Sequence, residues 1–390
     1  MPVINRVAEF AAEIAEWRRD IHAHPELQYD VDRTAGKVAE LLAAFGADDV
    51  VTGIGRTGVV GVIRGRNGVA GKVIGLRADM DALPIRERTG KPYASEVDGT
   101  MHACGHDGHT AMLLGAARYL AETRNFDGTA VLIFQPAEEG GAGGRAMVED
   151  GLMERFGIDE VYGLHNLPGL PVGHFAIRAG GVMAATDEFT ITIEGPGGHA
   201  AMPHRTTDPV VAAAQLILAL QTVVSRNVDP LRAAVLSVTM LQAGDAFNII
   251  PRSVRLTGTV RTLQEDVRAL VEERLRILTT QLCGAFGLTS SIAYRRGYPV
   301  TMNAPEQTEF ATEVARSVAG RERVDDKADG TMAGEDFAYM LKARPGAYIF
   351  MGNGNSTQLH SDTYDFNDDA IPAGVSYWAR LVEMALPTAG

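Results

Sequence analysis

The chain has 390 residues and is 46% hydrophobic, so it can bury a large core, and its length favours two domains over one. Its formal net charge of −13 argues against a nucleic-acid or anionic-membrane partner, because either would call for a basic face. The sequence contains no run of about 18 apolar residues, so we expect no transmembrane helix.

The N-terminal segment from Met1 to Arg19 mixes charged and apolar residues at helical spacing and lacks the continuous apolar core of a signal peptide. The two cysteines, Cys104 and Cys283, do not make a disulfide framework. Both observations predict a cytoplasmic protein, in which Cys283 packs in the apolar stripe of a helix.

The first half of the chain alternates apolar strand patterns with amphipathic helices, which is typical of an α/β layer structure. Helices are predicted over Thr34–Phe45, which Gly46 ends, and over His109–Ala121. The segment from Gly53 to Gly58 matches G-x-G-x-x-G, but a strand pattern follows it where a dinucleotide site needs a helix, so we interpret it as a plain turn. The strands predicted in this half are Val59–Arg64, Lys72–Arg77, Thr129–Phe134 and Glu160–Leu164.

The middle of the chain changes to the order strand, helix, strand, strand, helix, strand, which is the ferredoxin-like βαββαβ unit. The predicted elements are Asp187–Glu194, Asp208 to about Arg226, Ala234–Leu241, Ser253–Val260, Glu265 to about Ala285, and Leu288–Tyr294. The α/β pattern then resumes with a helix over Pro305–Ala319, a strand over Ala347–Met351 and a helix over Ile371–Leu386.

These elements predict an α/β fold with two domains. Residues 1–185 and 298–390 would form a three-layer domain around a central, mostly parallel sheet. Residues 186–297 would form a smaller domain inserted into it.

Metal-binding side chains crowd into one glycine-broken turn, Met101–Thr110, which contains Cys104 and His106. Adjacent carboxylates follow at Glu138 and Glu139, and further histidines at His165 and His360. Thiolate, neutral imidazole and carboxylate are the groups that bind divalent ions, and these residues lie near predicted strand ends, where α/β proteins build their sites.

The remaining histidines allow simpler interpretations. His109 would begin a helix and orient the turn, and His102 is a weaker ligand candidate than His106. His22 and His24 either line the pocket or finish a helix, and His174 is interpreted as structural.

Two adjacent glutamates cannot point the same way from an extended or turn backbone, so they can take different roles. One can bind a metal ion while the other accepts a proton from water and carries it to a leaving amine. A divalent ion lowers the pKa of its bound water from ~15.7 toward ~7, which makes hydroxide available at neutral pH. Two ions roughly 3.5–4 Å apart would need about five protein ligands, and five residues supply them: Cys104, His106, Glu139, His165 and His360.

The motifs resemble the M20 metallopeptidase family, specifically its amidohydrolase branch of hippurate, N-acyl-amino-acid and auxin-conjugate hydrolases. The resemblance runs nearly from end to end. The motifs that carry it are Arg18–Leu27, Leu76–Ile85, Met101–His109, Phe134–Gly140, Gly197–His204, Asn248–Pro251, Gly334–Phe337 and Leu359–Ser361.

The resemblance implies the same five metal ligands, Glu138 as general base and Asp81 as the catalytic aspartate, and it leaves the role of Asp79 open. It also implies that the inserted domain is a lid and dimerisation surface. On that domain His199 would polarise the scissile carbonyl, often across a dimer, and Asn248 and Arg261 would hold the carbonyl and carboxylate of the substrate.

The sequence therefore predicts an enzyme with two divalent ions per subunit (Zn, Mn, Co or Ni) that hydrolyses the amide of small N-acyl amino acids. It would act as a homodimer or larger homo-oligomer, without nucleic-acid or membrane partners. A dipeptidase or carboxypeptidase of the same family stays open as an alternative, and so does a noncatalytic metal- or peptide-binding protein. Glu138 argues against the latter, because a closed structural site needs no spare carboxylate.

Overall fold

A computed structural model describes residues 4–67 and 71–388. The chain divides into two compact units. Unit 1 comprises Met1–Val182, Met302–Asp329 and Asp336–Gly390, and unit 2 comprises Met183–Thr301 and Gly330–Glu335. The domain limits at residues 186 and 297 stay a prediction. Of the helical N-terminal segment predicted from Met1, residues 1–3 lie outside the described residues.

The N-terminal part of unit 1 alternates helices and strands. Its helices α1–α6 are Asn5–Glu9, Ala11–Ala23, Asp32–Phe45, His106–Thr123, Gly143–Glu149 and Leu152–Arg155. Its strands β1–β7 are Asp49–Ile54, Gly58–Arg64, Val73–Asp79, Thr129–Gln135, Glu160–Leu167, Phe175–Ala176 and Gly180–Met183, the last residue of which belongs to unit 2.

Unit 2 then contributes strands β8 to β13 and two long helices, α7 and α8. In chain order these elements are β8 Ala185–Glu194, β9 Gly198–His199, α7 Pro209–Asn227, β10 Ala234–Ala243, β11 Ile249–Ile250, β12 Ser253–Thr262, α8 Glu265–Ala285 and β13 Thr289–Arg296. The chain closes with β14 Thr301–Asn303, α9 Pro305–Ala319, β15 Val324–Asp325, α10 Ala338–Ala343, β16 Gly346–Gly352 and α11 Ile371–Ala385. Short 3-10 turns lie at Pro203–Arg205, Arg321–Arg323 and Asp368–Ala370.

Unit 1 is built on an eight-stranded sheet in the order β1-β2-β4-β3-β5-β16-β6-β15. The central pairs β4–β3, β3–β5 and β5–β16 are parallel, and antiparallel strands flank them. Strand β4 is apolar at nearly every position and buried along its whole length, as expected for a sheet covered on both faces. The prediction of an α/β fold with a mostly parallel central sheet is confirmed.

Unit 2 contains a four-stranded antiparallel sheet in the order β10-β12-β8-β13. Burial alternates along β8, so one face of the sheet is buried. Apolar residues of α7 and α8, including Leu216 and Leu275, share a core with Ile191 of β8. The strand and helix order is the predicted βαββαβ unit, and the strand order is that of the ferredoxin-like fold.

By length and composition, α7 is apolar enough to cross a membrane, and no other helix in the described part of the chain passes that test. The core helix of a folded unit passes the same test, so this finding does not overturn the expectation of no transmembrane helix. Five apolar positions of α7, among them Ala213 and Leu220, lie in the core of unit 2.

Several elements extend beyond their predicted limits, and three extensions place site residues. Helix α4 begins at His106 rather than His109, so His106 is its first residue. Strand β3 continues to Asp79, and β5 continues to Leu167, so His165 lies inside a strand rather than beyond its end. Hydrophobic periodicity misses these ends because polar side chains stand at buried positions there.

Candidate metal centre

The parallel strands β3, β4 and β5 carry the predicted site at their carboxyl ends. Asp79 and Gln135 are the last residues of β3 and β4, and His165 lies near the end of β5. Because β3 pairs with both β4 and β5 in parallel, these three ends meet at one edge of the sheet. The turn before α4 brings Cys104 to His165 at this edge.

Cys104 and His165 face each other with Sγ and Nε2 3.5 Å apart. The other ring nitrogen of His165, Nδ1, lies 2.7 Å from the carbonyl oxygen of Asn166, to which it donates. Burial, reinforced by neighbouring His109, holds the pKa of His165 well below its usual value. His165 is therefore a neutral imidazole with its Nε2 lone pair directed at Cys104, which is the form that binds a metal ion.

His106 is oriented in the same way. Its Nδ1 lies 2.8 Å from the carbonyl oxygen of Asp81, while its Nε2 is buried and has no hydrogen-bond partner. A buried ring nitrogen left unpaired costs free energy, so its retention beside a thiol fits metal ligation.

Glu139 and His360 complete the predicted ligand set. The Glu139 carboxylate lies 3.2 Å from Nε2 of His360. Hydrogen bonds to Cys104 and Glu139 raise the pKa of His360 to about 10. The surroundings of His360 therefore strongly stabilise positive charge.

The ligand atoms form overlapping groups whose members lie within 4.8 Å of one another: Cys104, His106 and His165; Cys104, Glu139 and His360; and His106, Glu138 and Glu139. All five predicted ligands are thus brought together, and they share thiolate, imidazole and carboxylate donors that suit divalent transition metals. Cys104, His106 and Glu139 each belong to two of these groups. Groups that share members in this way fit two neighbouring ions.

Asp81 holds the two glutamates in place. Its Oδ1 accepts a hydrogen bond from the backbone N–H of Glu138 at 2.9 Å, and its Oδ2 accepts one from that of Glu139 at 3.0 Å. Both carboxylate oxygens of Asp81 therefore bind backbone, which indicates that Asp81 orients the glutamate pair. A direct catalytic role for Asp81 stays a prediction.

The structure shows the contacts of Asp79, whose role the sequence leaves open, and of His109, which the sequence predicts to orient the turn. The Asp79 carboxylate lies 2.6 Å from Nδ1 of His109 and accepts a second hydrogen bond, also at 2.6 Å, from Arg77. Nε2 of His109 accepts hydrogen bonds from the backbone and side-chain nitrogens of Asn166, both at 3.0 Å. Asp79, His106 and His109 form another group that could hold a metal ion. Protein groups occupy both ring nitrogens of His109, so we assign it an orienting role.

Asn166 is a site residue to which the sequence analysis assigns no role. Its Nδ2 donates to the carbonyl oxygen of Cys104 at 2.7 Å, and its Oδ1 accepts from Tyr364 at 2.7 Å. Gly105 has φ +89°, and a Cβ there would lie 2.3 Å from Asn166 Nδ2 and 2.5 Å from Tyr364 Oη. Only glycine fits at position 105. The glycine itself is the feature of the sequence that indicates how closely Asn166 and Tyr364 pack against this turn.

The other histidines lie outside the ligand groups. His22 contacts Asp107 at 2.8 Å, a contact that helps raise its pKa to about 9 despite its burial. Burial lowers the pKa of His102 to about 3. His24 directly follows α2, and its Nδ1 lies 2.8 Å from the backbone oxygen of Asp20 in that helix.

Unit 2 places His199 and Asn248 on one ribbon. Strands β9 and β11 pair so that Ile249 faces His199, and the Asn248 carbonyl accepts from the backbone N–H of Ala200 at 3.1 Å. The backbone N–H of Ala201 donates to Nδ1 of His199 at 3.1 Å, so a neutral ring carries its proton on Nε2. His199 is exposed, and its Nε2–H can therefore act as a donor.

Arg261 lies apart from this ribbon, within β12. Its guanidinium donates to Thr259 and to the carbonyl oxygen of Val260, both on its own strand. The role of Arg261 in holding the carboxylate of the substrate stays a prediction.

Comparisons with known proteins agree with this geometry. The sequence profile of Peptidase family M20/M25/M40 matches residues 75–384. The chain is 44% identical to a hippurate hydrolase of Campylobacter jejuni, over 98% of both chains. It is 43% identical to an N-acetyl-L-cysteine deacetylase of Bacillus subtilis, over 91% of this chain and 83% of the relative.

A thermostable carboxypeptidase of Saccharolobus solfataricus is 38% identical over 98% of both chains. Among solved structures, the YXEP protein of Bacillus subtilis, described as a dinuclear metal binding peptidase from the M20 family, superposes with a TM-score of 0.86. That alignment has 35% identity and covers 98% of this chain and 100% of that one.

Proposed function

The chain belongs to Peptidase family M20/M25/M40, and on that premise we propose that it is a metal-dependent amidohydrolase that cleaves the amide bond of N-acyl amino acids. The observation that carries the proposal is a set of five candidate ligands, of which Cys104, His106 and His165 are buried, with one additional buried carboxylate, Glu138, beside them. A purely structural metal site has no use for that carboxylate. The named activities of the hippurate hydrolase and the N-acetyl-L-cysteine deacetylase support the substrate class.

Glu138 is proposed as the general base. It is 7% exposed, and Asp81 fixes its backbone while Glu139 faces His360. It would accept a proton from the attacking water and deliver it to the departing amine. Bound divalent ions supply Lewis acidity and lower the pKa of water.

The five ligands fit zinc, manganese, cobalt or nickel, because a mixed set of thiolate, imidazole and carboxylate donors selects weakly among these ions. The second proposed catalytic group is His199, whose Nε2–H would donate to the developing oxyanion. Asn248, on the same ribbon, would hold the substrate carbonyl, and Arg261 its carboxylate.

We also propose that the protein is a homodimer or larger homo-oligomer that associates through unit 2. Strand β10 is an edge of the unit 2 sheet and carries exposed apolar residues, among them Leu241, which is 52% exposed. Leu218 of α7 is 65% exposed. An apolar edge strand is a ready site for pairing with a second copy.

We propose a cytoplasmic location because the two cysteines do not form a disulfide. Cys104 and Cys283 are both free and buried, and they belong to different units. A free thiol among the metal ligands suits a reducing compartment.

A substrate screen tests the proposed activity. The metal-reconstituted protein should release amino acids from hippurate or N-acetyl amino acids. A chelator should abolish the activity, and one of the four ions should restore it. Faster cleavage of unblocked dipeptides or peptide C-termini would favour the exopeptidase alternative, which the carboxypeptidase relative keeps open. Binding of these compounds without turnover would indicate a noncatalytic protein.

A further inference from the structure

We propose that Arg77 and Asp336 are positioning residues that fix the segment carrying Glu138 and Glu139 relative to the segment carrying Cys104 and His106. The inference rests on the proposed metal centre. It concerns two motifs, Leu76–Ile85 and Gly334–Phe337, whose Arg77 and Asp336 are not among the five proposed ligands. Asp336 also lies with Glu138 and Glu335 in a further group of carboxylates that could hold a metal ion.

Asp336 holds both ends of the glutamate segment. Its Oδ1 accepts a hydrogen bond from Nε2 of Gln135 at 2.7 Å, and its Oδ2 accepts one from the backbone N–H of Gly144 at 2.8 Å. Gln135 ends β4 just before the glutamates, and Gly144 lies in the first turn of α5 just after them. Both ends of the segment that contains Glu138 and Glu139 are thus attached to one buried carboxylate.

Arg77 joins this carboxylate to the other side of the site. Its guanidinium donates to Asp336 at 3.1 Å, to Gln135 Oε1 at 2.8 Å and to Asp79 at 2.6 Å. Asp79 in turn binds His109, three residues after His106 on α4. One planar cation therefore connects the strand ends and α4 through hydrogen bonds with fixed directions, which a lysine could not reproduce.

These hydrogen bonds are buried, so water cannot replace a partner that is lost. Arg77, Asp79, Gln135 and Asp336 are each 1% exposed or less. Removing one partner leaves buried charge or donors without partners, so the surrounding segments must shift. Positioning groups around a metal site typically affect metal affinity or activity by about 10–100-fold when replaced.

The first test is Asp336→Asn, with Asp187→Asn as the matched control. Asp187 is equally buried and pairs with Arg268 at 2.5 Å, but it lies in unit 2 and contacts no metal ligand. Asp336→Asn should lower kcat about 10–100-fold with KM nearly unchanged. In the metal-free protein it should also speed hydrogen–deuterium exchange of residues 136–144. Asp187→Asn should do neither.

The second test leaves the charges in place. A Cβ on Gly144 would lie 2.8 Å from the Asp336 backbone oxygen and 3.1 Å from its Oδ1, so Gly144→Ala should displace Asp336. Its control is Gly36→Ala in α3, where the added Cβ meets nothing within 4 Å. Both changes favour helix by about 0.5–1 kcal/mol. Only Gly144→Ala should lower kcat and speed exchange in residues 136–144.

Unchanged exchange of residues 136–144 in both Asp336→Asn and Gly144→Ala would overturn the proposal. An equal rise in the two control variants would also overturn it, because the effect would then be general loosening. The exchange measurement uses metal-free protein and no substrate, so failure of the proposed amidohydrolase activity would appear separately in the substrate screen.

Discussion

Replacing Glu138 by Gln tests the division of roles between the two adjacent glutamates. The substitution keeps the size of the side chain and removes the proton acceptor. The backbone hydrogen bond from residue 138 to Asp81, at 2.9 Å, does not involve the changed atoms. Glu138 is not one of the five proposed ligands, so we expect metal content to stay unchanged and kcat to fall by about 10²–10⁴, the range for general acid–base catalysis. At about 1.36 kcal/mol per tenfold, this corresponds to about 2.7–5.4 kcal/mol of transition-state stabilisation.

Glu139→Gln is the matched control, because Glu139 lies 3.2 Å from Nε2 of His360 and belongs to two of the ligand groups. This variant should lose metal as well as activity. The assay measures hydrolysis of an N-acetyl amino acid together with metal content per chain by mass spectrometry. If Glu138→Gln lost as much metal as Glu139→Gln, the two roles would be assigned the wrong way round. If Glu138→Gln kept turnover within tenfold of the parent, Glu138 would not be the base.

The remaining predictions concern the thiol, the turn and the oxyanion donor. Cys104 should resist thiol reagents in the metal-loaded protein and become modifiable after chelation; equal labelling in both forms would rule out ligation. Gly105→Ala should sharply weaken metal binding in a titration, because its Cβ would overlap Asn166; unchanged affinity would contradict the tight turn. His199→Ala should lower kcat about 10²–10³-fold with metal content unchanged. If His199 acts across a dimer, mixing inactive His199→Ala and Glu138→Gln subunits should restore part of the activity. No recovery after proven subunit exchange would place His199 in its own subunit's site or outside the mechanism.

Much of the fold could be predicted because its signals are local. Helix α3 begins two residues before its predicted start and ends at the predicted Phe45, because an apolar stripe and a terminal glycine define it. The βαββαβ order of unit 2 followed from the same periodicities. Strand β1 was not predicted, since it is an edge strand with few buried positions. Periodicity is weak where a strand has no buried face.

The five ligands and Glu138 could be picked out from the sequence because metal chemistry depends on residue type, and these types cluster in short motifs. The sequence also showed a glycine at position 105 of the Cys/His turn. It did not show that Asn166 and Tyr364 leave no room there for a side chain. The sequence by itself therefore determined the fold class and the class of chemistry, and it named the candidate ligands that the structure brings together.

Only the tertiary structure decided what the supporting residues do. Asp79, left open by the sequence, holds His109, and Asp81 holds the backbone of both glutamates. Arg77 and Asp336 stand 259 positions apart and yet share a hydrogen bond. The direction of a hydrogen bond depends on where folded strands bring their ends together, and no local pattern of residues records that.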